Sequence, residues 1–258
     1  MELLDTARVE AAMSDSIIGH RIDYRLETDS TMDDAKELAR AGAAEGVVVI
    51  AEQQGRGRGR FDRAWVSPPG LNLYMTLLLR PEPSQLPYMN MAAALAVHRT
   101  ASDASGLPTT VKWPNDVRIG GRKLSGILIE TEFQGTRLDH ALVGIGINVN
   151  LDVAKYPEIA ETATSLRTAT GREFDRDEVL LSALRNLDDF YGLVVHGESL
   201  TAAWARTLET LGKHVRLRWR DRVIEGLAES VDDSGNLVVL QSDGTRVSAV
   251  AGEVTSQV

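Results

Sequence analysis

Cysteine is absent from this 258-residue chain, which removes disulfides, thiolate-bound zinc and a cysteine nucleophile from consideration. Aromatic residues are scarce at 5%, and they are not clustered as a stacking platform for nucleic acid would need. Positive charge is in the minority. Twenty-eight Lys and Arg stand against 37 Asp and Glu, a net charge of −9, which argues against a whole surface built for DNA or an anionic membrane. No apolar run approaches the ~18 residues a bilayer span requires. The start, MELLDTARVEAAM, carries acids and no long apolar core, unlike a signal or transit peptide. A cytoplasmic location is therefore expected. His20, His98, His140, His196 and His214 are scattered without metal-ligand spacing, so no dedicated metal site is expected. No Ser/His/Asp constellation and no glycosidase-like acid pair stands out.

What the chain does have is concentrated between Gln53 and Trp65, in QQGRGRGRFDRAW. Arg56, Arg58, Arg60 and Arg63 are interleaved with Gly55, Gly57 and Gly59. Glycine lets backbone N–H groups approach a ligand, and arginine offers a forked donor to phosphate or carboxylate. A local basic loop in an acidic protein points to a small anion. It is not a dinucleotide fingerprint, because the third glycine would fall on Arg60 or, one register later, on Asp62. Nor is it a Walker loop, since no Gly-Lys-Ser/Thr occurs. Downstream, KWPND at 112–116 and GRKLSGIL at 121–128 supply a second cationic, glycine-bearing cluster. A cationic, glycine-lined cleft needs no strong base if its nucleophile is already an anion, and carboxylate activation by ATP fits that description.

The length allows one large domain and a small appendage. Periodicity predicts a helix over 1–13 and a strand over 21–27, then a helix capped by Ser30 that ends near Gly42. A buried strand over 47–51 follows, then the arginine loop, a strand over 71–80 and an apolar, buried helix over about 87–104. Strands over 111–113, 116–119, 124–133 and 141–150 read as an antiparallel meander. Alternation in the last of them puts Gly144, Gly146 and Asn148 on one face, a floor without bulk. Helices are predicted over 175–195 and 198–211. After a boundary near Gly212, short alternating strands over 215–219, 223–229, 237–240 and 246–250 indicate a small barrel with no ligand-binding cluster of its own.

In order along the chain, the motifs are Asp29-Ser30-Thr31, Gln54 with Gly57-Arg58-Gly59-Arg60-Phe61-Asp62-Arg63-Ala64-Trp65, KWPND at 112–116, KLSGILIE at 123–130 and Gly146-Ile147-Asn148. Together they resemble those of bacterial biotin protein ligases, and the resemblance covers essentially the whole chain. It implies an α+β fold: a class II synthetase-like catalytic domain with a mixed sheet over 1–211 and an SH3-like β-barrel over 212–258. It implies activation of biotin by Mg-ATP (ATP with Mg2+) to biotinyl-5′-AMP, then transfer to a lysine of a biotin carboxyl carrier protein. By the same resemblance, Ser30, Thr31 and Gln54 would bond the biotin ureido group, with the backbone near Met32 closing that end. Arg58, Gly59 and Arg60 would close over biotin and the adenylate phosphate. Lys123 would bind the biotin carboxylate and α-phosphate as the catalytic cation, with Arg60 and Asp116 beside it and Gly126 in the biotin site. Asn115 and Asp116 would lie at the carboxylate–phosphate junction, Asn148 by the adenine, and Trp65 over the ligand. Arg56 stands where the family has small residues and is expected to face solvent; Met32 stands where many relatives have Asn. Fewer than thirty residues precede Ser30, too few for the helix-turn-helix module some relatives carry, so no DNA partner is expected. No membrane partner is expected either, and the assembly would be a monomer or homodimer. A lipoate or octanoate ligase of similar fold, and a nucleic-acid-binding module built on the arginine loop, are the alternatives.

Overall fold

Ser30 begins the part of the fold that positions the site. Its Oγ accepts from the N–H of Met32 at 3.3 Å, Asp33 and Asp34 occupy the first turn, and helix α2 runs over Thr31–Arg40. Gly42, at φ +83°, turns the chain out of the helix. A shorter helix, α1 (Thr6–Ala12), precedes it; it starts later than predicted because Asp5 caps it through the N–H of Arg8. In this computed structural model, residues 3–219, 222–250 and 252–256 are described.

The main sheet contains β1 (Arg21–Arg25), β2 (Val47–Ala51), β3 (Leu73–Leu79), β4 (Thr109–Lys112), β5 (Asp116–Ile119), β6 (Arg122–Gln134) and β7 (Arg137–Ile147). Their spatial order is β1-β2-β3-β7-β6-β5-β4. β1 and β2 pair in parallel and the remaining pairs are antiparallel, so the sheet is mixed and β4 to β7 form the expected meander. β2 is buried along its whole length because both faces are covered. Val49 packs with Leu78, Leu142, Ala35 and Ala39 beneath α2. Val48 and Ile50 face the larger core, which includes the apolar residues of α3 (Leu86–Ser105) and α5 (Arg176–Val195). Met89 and Met91 are core residues of α3.

Two expectations change. The helix over 198–211 shrinks to α6 (Thr201–Ala205), after the short α4 (Leu166–Thr170) and α5 earlier in the chain. Residues 207–209 instead run alongside edge strand β4: the N–H of Val111 donates to Thr207 O at 2.8 Å, and the N–H of Glu209 donates to Val111 O at 2.9 Å. Satisfying an open sheet edge outweighs helical periodicity here. The last segment also carries a strand that was not predicted. The second sheet comprises β8 (His214–Trp219), β9 (Arg222–Val231), β10 (Leu237–Leu240), β11 (Arg246–Ala249) and β12 (Glu253–Ser256), in the order β11-β10-β9-β8-β12. The small β unit is thus an open five-stranded antiparallel sheet, with no pairing between its end strands among the described residues. It packs onto the main sheet through Trp113, whose indole N–H donates to Gly235 O at 2.9 Å. Among the described residues, no helix is long and apolar enough to cross a membrane.

Candidate active site

Glycines on two neighbouring strands make the floor. The β6–β7 register sets Gly126 opposite Gly146 and Leu128 opposite Gly144. A Cβ at Gly146 would lie 2.4 Å from the Trp65 ring, and one at Gly144 would lie 2.8 Å from Met32 Sδ. The bulk-free floor read from alternation is therefore real, and two side chains from outside the sheet lie on it. Trp65 also meets Lys123, whose Nζ is 5.3 Å from the ring centre. Its indole N–H is buried with no hydrogen-bond partner.

The arginine loop forms the roof. It is a small hairpin: the N–H of Trp65 donates to Gly57 O and that of Gly59 to Arg63 O, each at 2.8 Å. Phe61 at its tip has φ +58°, a left-handed conformation uncommon for an aromatic residue. Arg58 and Arg60 carry like charge on either side of Gly59. Here they point to different partners. Arg58 reaches Asp33 at 2.7 Å, whereas Arg60 donates to Asn115 Oδ1 at 3.1 Å and Gly252 O at 3.3 Å. Arg63 pairs with Glu253. Burial pulls the Arg60 pKa below the usual guanidinium value, and Asp116 and Glu253 oppose that shift. The Arg56 side chain is 82% exposed and, among the described residues, pairs with Asp29 at 3.8 Å.

At the α2 end of the cleft, Gln54 Oε1 accepts from the N–H and the hydroxyl of Thr31 at 3.0 and 3.1 Å. Gln54 donates onward to Ser67 Oγ at 3.2 Å. In the middle, Lys123 Nζ is 2.7 Å from Asp116 Oδ1. Asn115 is locked by donating to Ile127 O at 2.6 Å. Asn148 is 3% exposed; it donates to Thr164 O at 3.0 Å and accepts from Asn72 at 3.3 Å. That amide holds two loops together at the cavity wall.

Ser30, Thr31, Met32, Gln54, Arg58, Gly59, Arg60, Trp65, Asn115, Asp116, Lys123, Gly126 and Asn148 all line one cavity of about 420 Å³. Residues far apart in sequence thus converge on a single cleft. The sequence reading missed the contribution of Gly252, Glu253 and Val254, which line the same cavity from the second sheet. The pairing of Gly252 and Glu253 with the loop arginines reveals this contribution.

Residues 24–148 match the biotin/lipoate A/B protein ligase family, and residues 210–255 match the biotin protein ligase C terminal domain. The bifunctional ligase/repressor BirA of Bacillus subtilis is 34% identical over 248 residues, covering 94% of this chain and 76% of that protein. The chain belongs to the biotin/lipoate A/B protein ligase family. Within that family, the biotin–[acetyl-CoA-carboxylase] ligase of Paracoccus denitrificans is 33% identical over 85% of this chain and 94% of its own length. The biotin protein ligase from Aquifex aeolicus in complex with biotin and ATP superposes with a TM-score of 0.77 at 30% identity. That match covers 92% of this chain and 98% of the Aquifex chain.

Proposed function

We propose that this chain is an ATP-dependent ligase that activates biotin as biotinyl-5′-AMP and then transfers biotin to a lysine of a biotin carboxyl carrier protein. The observation that carries the reading is the gathering of the predicted site residues, from Ser30 to Asn148, around one cavity in a member of this family. In the first step a carboxylate oxygen of biotin attacks the α-phosphorus of ATP and pyrophosphate departs. In the second, the neutral amine of the carrier lysine attacks the acyl carbon and AMP departs with the bonding electron pair.

Each site residue has a place in that chemistry. Ser30, Thr31, Gln54 and the backbone near Met32 are polar groups suited to a ureido ring, and Gly126 leaves room for biotin beside Lys123 and Trp65. Lys123, held by Asp116, puts a cation where the carboxylate and α-phosphate converge. Arg58, Gly59 and Arg60 cover that junction beside Asn115. Trp65 lies over the floor where adenine would stack, next to Asn148. Among the described residues no three His, Cys, Asp or Glu are grouped to hold a metal. Magnesium would accordingly arrive with the ATP phosphates, keep several waters and neutralise phosphate charge, with Asp116 as the nearby carboxylate. Residues 1–211 would form the catalytic domain and 212–258 a small domain that completes it, in a cytoplasmic monomer or homodimer.

Biotin-dependent exchange of labelled pyrophosphate into ATP tests the reading. Exchange with biotin is the expected result. Exchange with lipoate in place of biotin would assign the chain to the other branch of the family, and no exchange with either acid would refute the adenylation chemistry.

A further inference from the structure

We propose that Lys112 is the pyrophosphate cation of this site, binding the β- and γ-phosphates of ATP and holding them as they leave. The inference rests on the adenylation reading and adds to it a residue that the reading leaves without a role. On β4, Val111 is fully buried, so alternation turns Thr110 and Lys112 to the opposite face. Cross-strand pairing sets Thr110 against Arg118, Lys112 against Asp116, and Arg118 against Lys123. Directly paired residues share a face. Lys112, Asp116, Arg118 and Lys123 therefore stand together, and all four line the 420 Å³ cavity.

The acids on this side are already engaged. Asp116 holds Lys123 at 2.7 Å. Glu209 accepts from the Thr110 hydroxyl at 2.6 Å and pairs with Arg118. Glu253 pairs with Arg63. Among the described residues the Lys112 ammonium makes no hydrogen bond and no ion pair, although the residue is half-buried. Burial lowers its pKa from the ordinary lysine value and Arg118 lowers it further, while Asp116, Glu209 and Glu253 pull the other way. A partly desolvated ammonium without a partner costs free energy that a methionine in the same place would avoid. A bound anion offsets that cost.

Position selects the anion. Lys123 stands on β6 and Lys112 on β4, with β5 between them. Two strand spacings put their backbones roughly 10 Å apart. Two long side chains converging from that separation suit the two ends of one polyphosphate. With Lys123 at the α-phosphate, Lys112 meets the terminal phosphates. As the carboxylate oxygen bonds to the α-phosphorus, the bond from that phosphorus to the bridging oxygen breaks and its electron pair leaves on pyrophosphate. No proton moves in this step. Lys112 stabilises the charge that accumulates on the departing group.

Lys112→Met keeps the packed methylenes and removes the charge, and Lys112→Arg restores a cation. In the biotin-dependent exchange assay, Lys112→Met should raise the KM for pyrophosphate by about tenfold or more, the loss typical of one charged hydrogen bond, and leave the KM for biotin within about twofold. Calorimetry should show pyrophosphate binding weakened to the same degree and AMP binding unchanged, with Lys112→Arg recovering most of the loss. Unchanged pyrophosphate binding overturns the proposal. So does a parallel loss for pyrophosphate, AMP and biotin, or an effect confined to transfer onto the carrier. Should the wild-type protein exchange nothing, the adenylation reading fails, and the calorimetric comparison still decides whether Lys112 binds pyrophosphate.

Discussion

Lys123 is held between Asp116 and the Trp65 ring, so its charge is fixed in direction before any substrate arrives. Preorganised charge of this kind acts mainly on the transition state. Lys123→Ala is expected to slow single-turnover adenylation by about 100- to 1000-fold and to weaken biotin retention far less. A rate within a few-fold of wild type would remove Lys123 from the catalytic role. The floor glycines make a second, paired prediction. A Cβ at Gly146 meets a rigid indole, whereas one at Gly144 meets the sulfur of a flexible methionine. Gly146→Ala should push Trp65 off the floor, seen as greater acrylamide quenching of tryptophan fluorescence and weaker ligand binding. Gly144→Ala should leave both measurements close to wild type. Equal behaviour of the two variants would mean that Trp65 does not rest where it is described.

Among the elements, the arginine hairpin depends most on its neighbours, since Arg58, Arg60 and Arg63 are tied to α2, the turn before β5, and β12 respectively. Glu253→Gln removes the charge opposite Arg63. Trypsin cleavage at the loop arginines should then quicken several-fold without a fall in melting temperature, and unchanged cleavage would show that the pair does not restrain the loop. Local signals made many elements legible in the sequence. The Ser30 cap, the β-branched run of β2 and the apolar α3 each carry their own structural instruction. The cationic cleft was legible for a similar reason, because its residues lie in compact motifs. What stayed hidden depends on distant pairing. Residues 207–209 forsake a helix to satisfy β4, and β12 is a short polar segment that becomes a strand only by pairing with β8. Glu253 could not be read as part of the site until Arg63 was seen against it.

A buried ion pair just ahead of the arginine loop in sequence ties distant parts of the molecule together. Glu52 is 1% exposed and accepts from Arg176 at 2.7 Å, from the N–H of Leu4 at 2.8 Å and from the Tyr24 hydroxyl at 2.9 Å. Arg176 also donates to Asn72 O at 3.3 Å, and Asn72 holds Asn148. Burial raises the Glu52 pKa, but the hydrogen bonds from Arg176 and Leu4 outweigh it, and the net value lies below the ordinary 4.5. A depressed carboxylate contributes stability that is present above its unfolded pKa and lost as pH falls through the folded one. Glu52→Gln should cost about 3–5 kcal/mol at neutral pH, because the buried Arg176 charge loses its opposing carboxylate. Its stability should also fall less steeply than wild type below about pH 4.5, as measured by urea unfolding across that range. Equal slopes would show that Glu52 is not the group that titrates.

The reach of β12 into the cleft bears on how this chain can be recombined. Gly252 and Glu253 hold Arg60 and Arg63, so the lid of one half is latched by the other. A hybrid that grafts residues 210–258 from a distant homologue onto this main sheet would inherit a mismatched latch even when both halves fold. Divergence on one side of the seam obliges a matching change on the other, so the two segments are bound to evolve as a pair rather than as interchangeable parts.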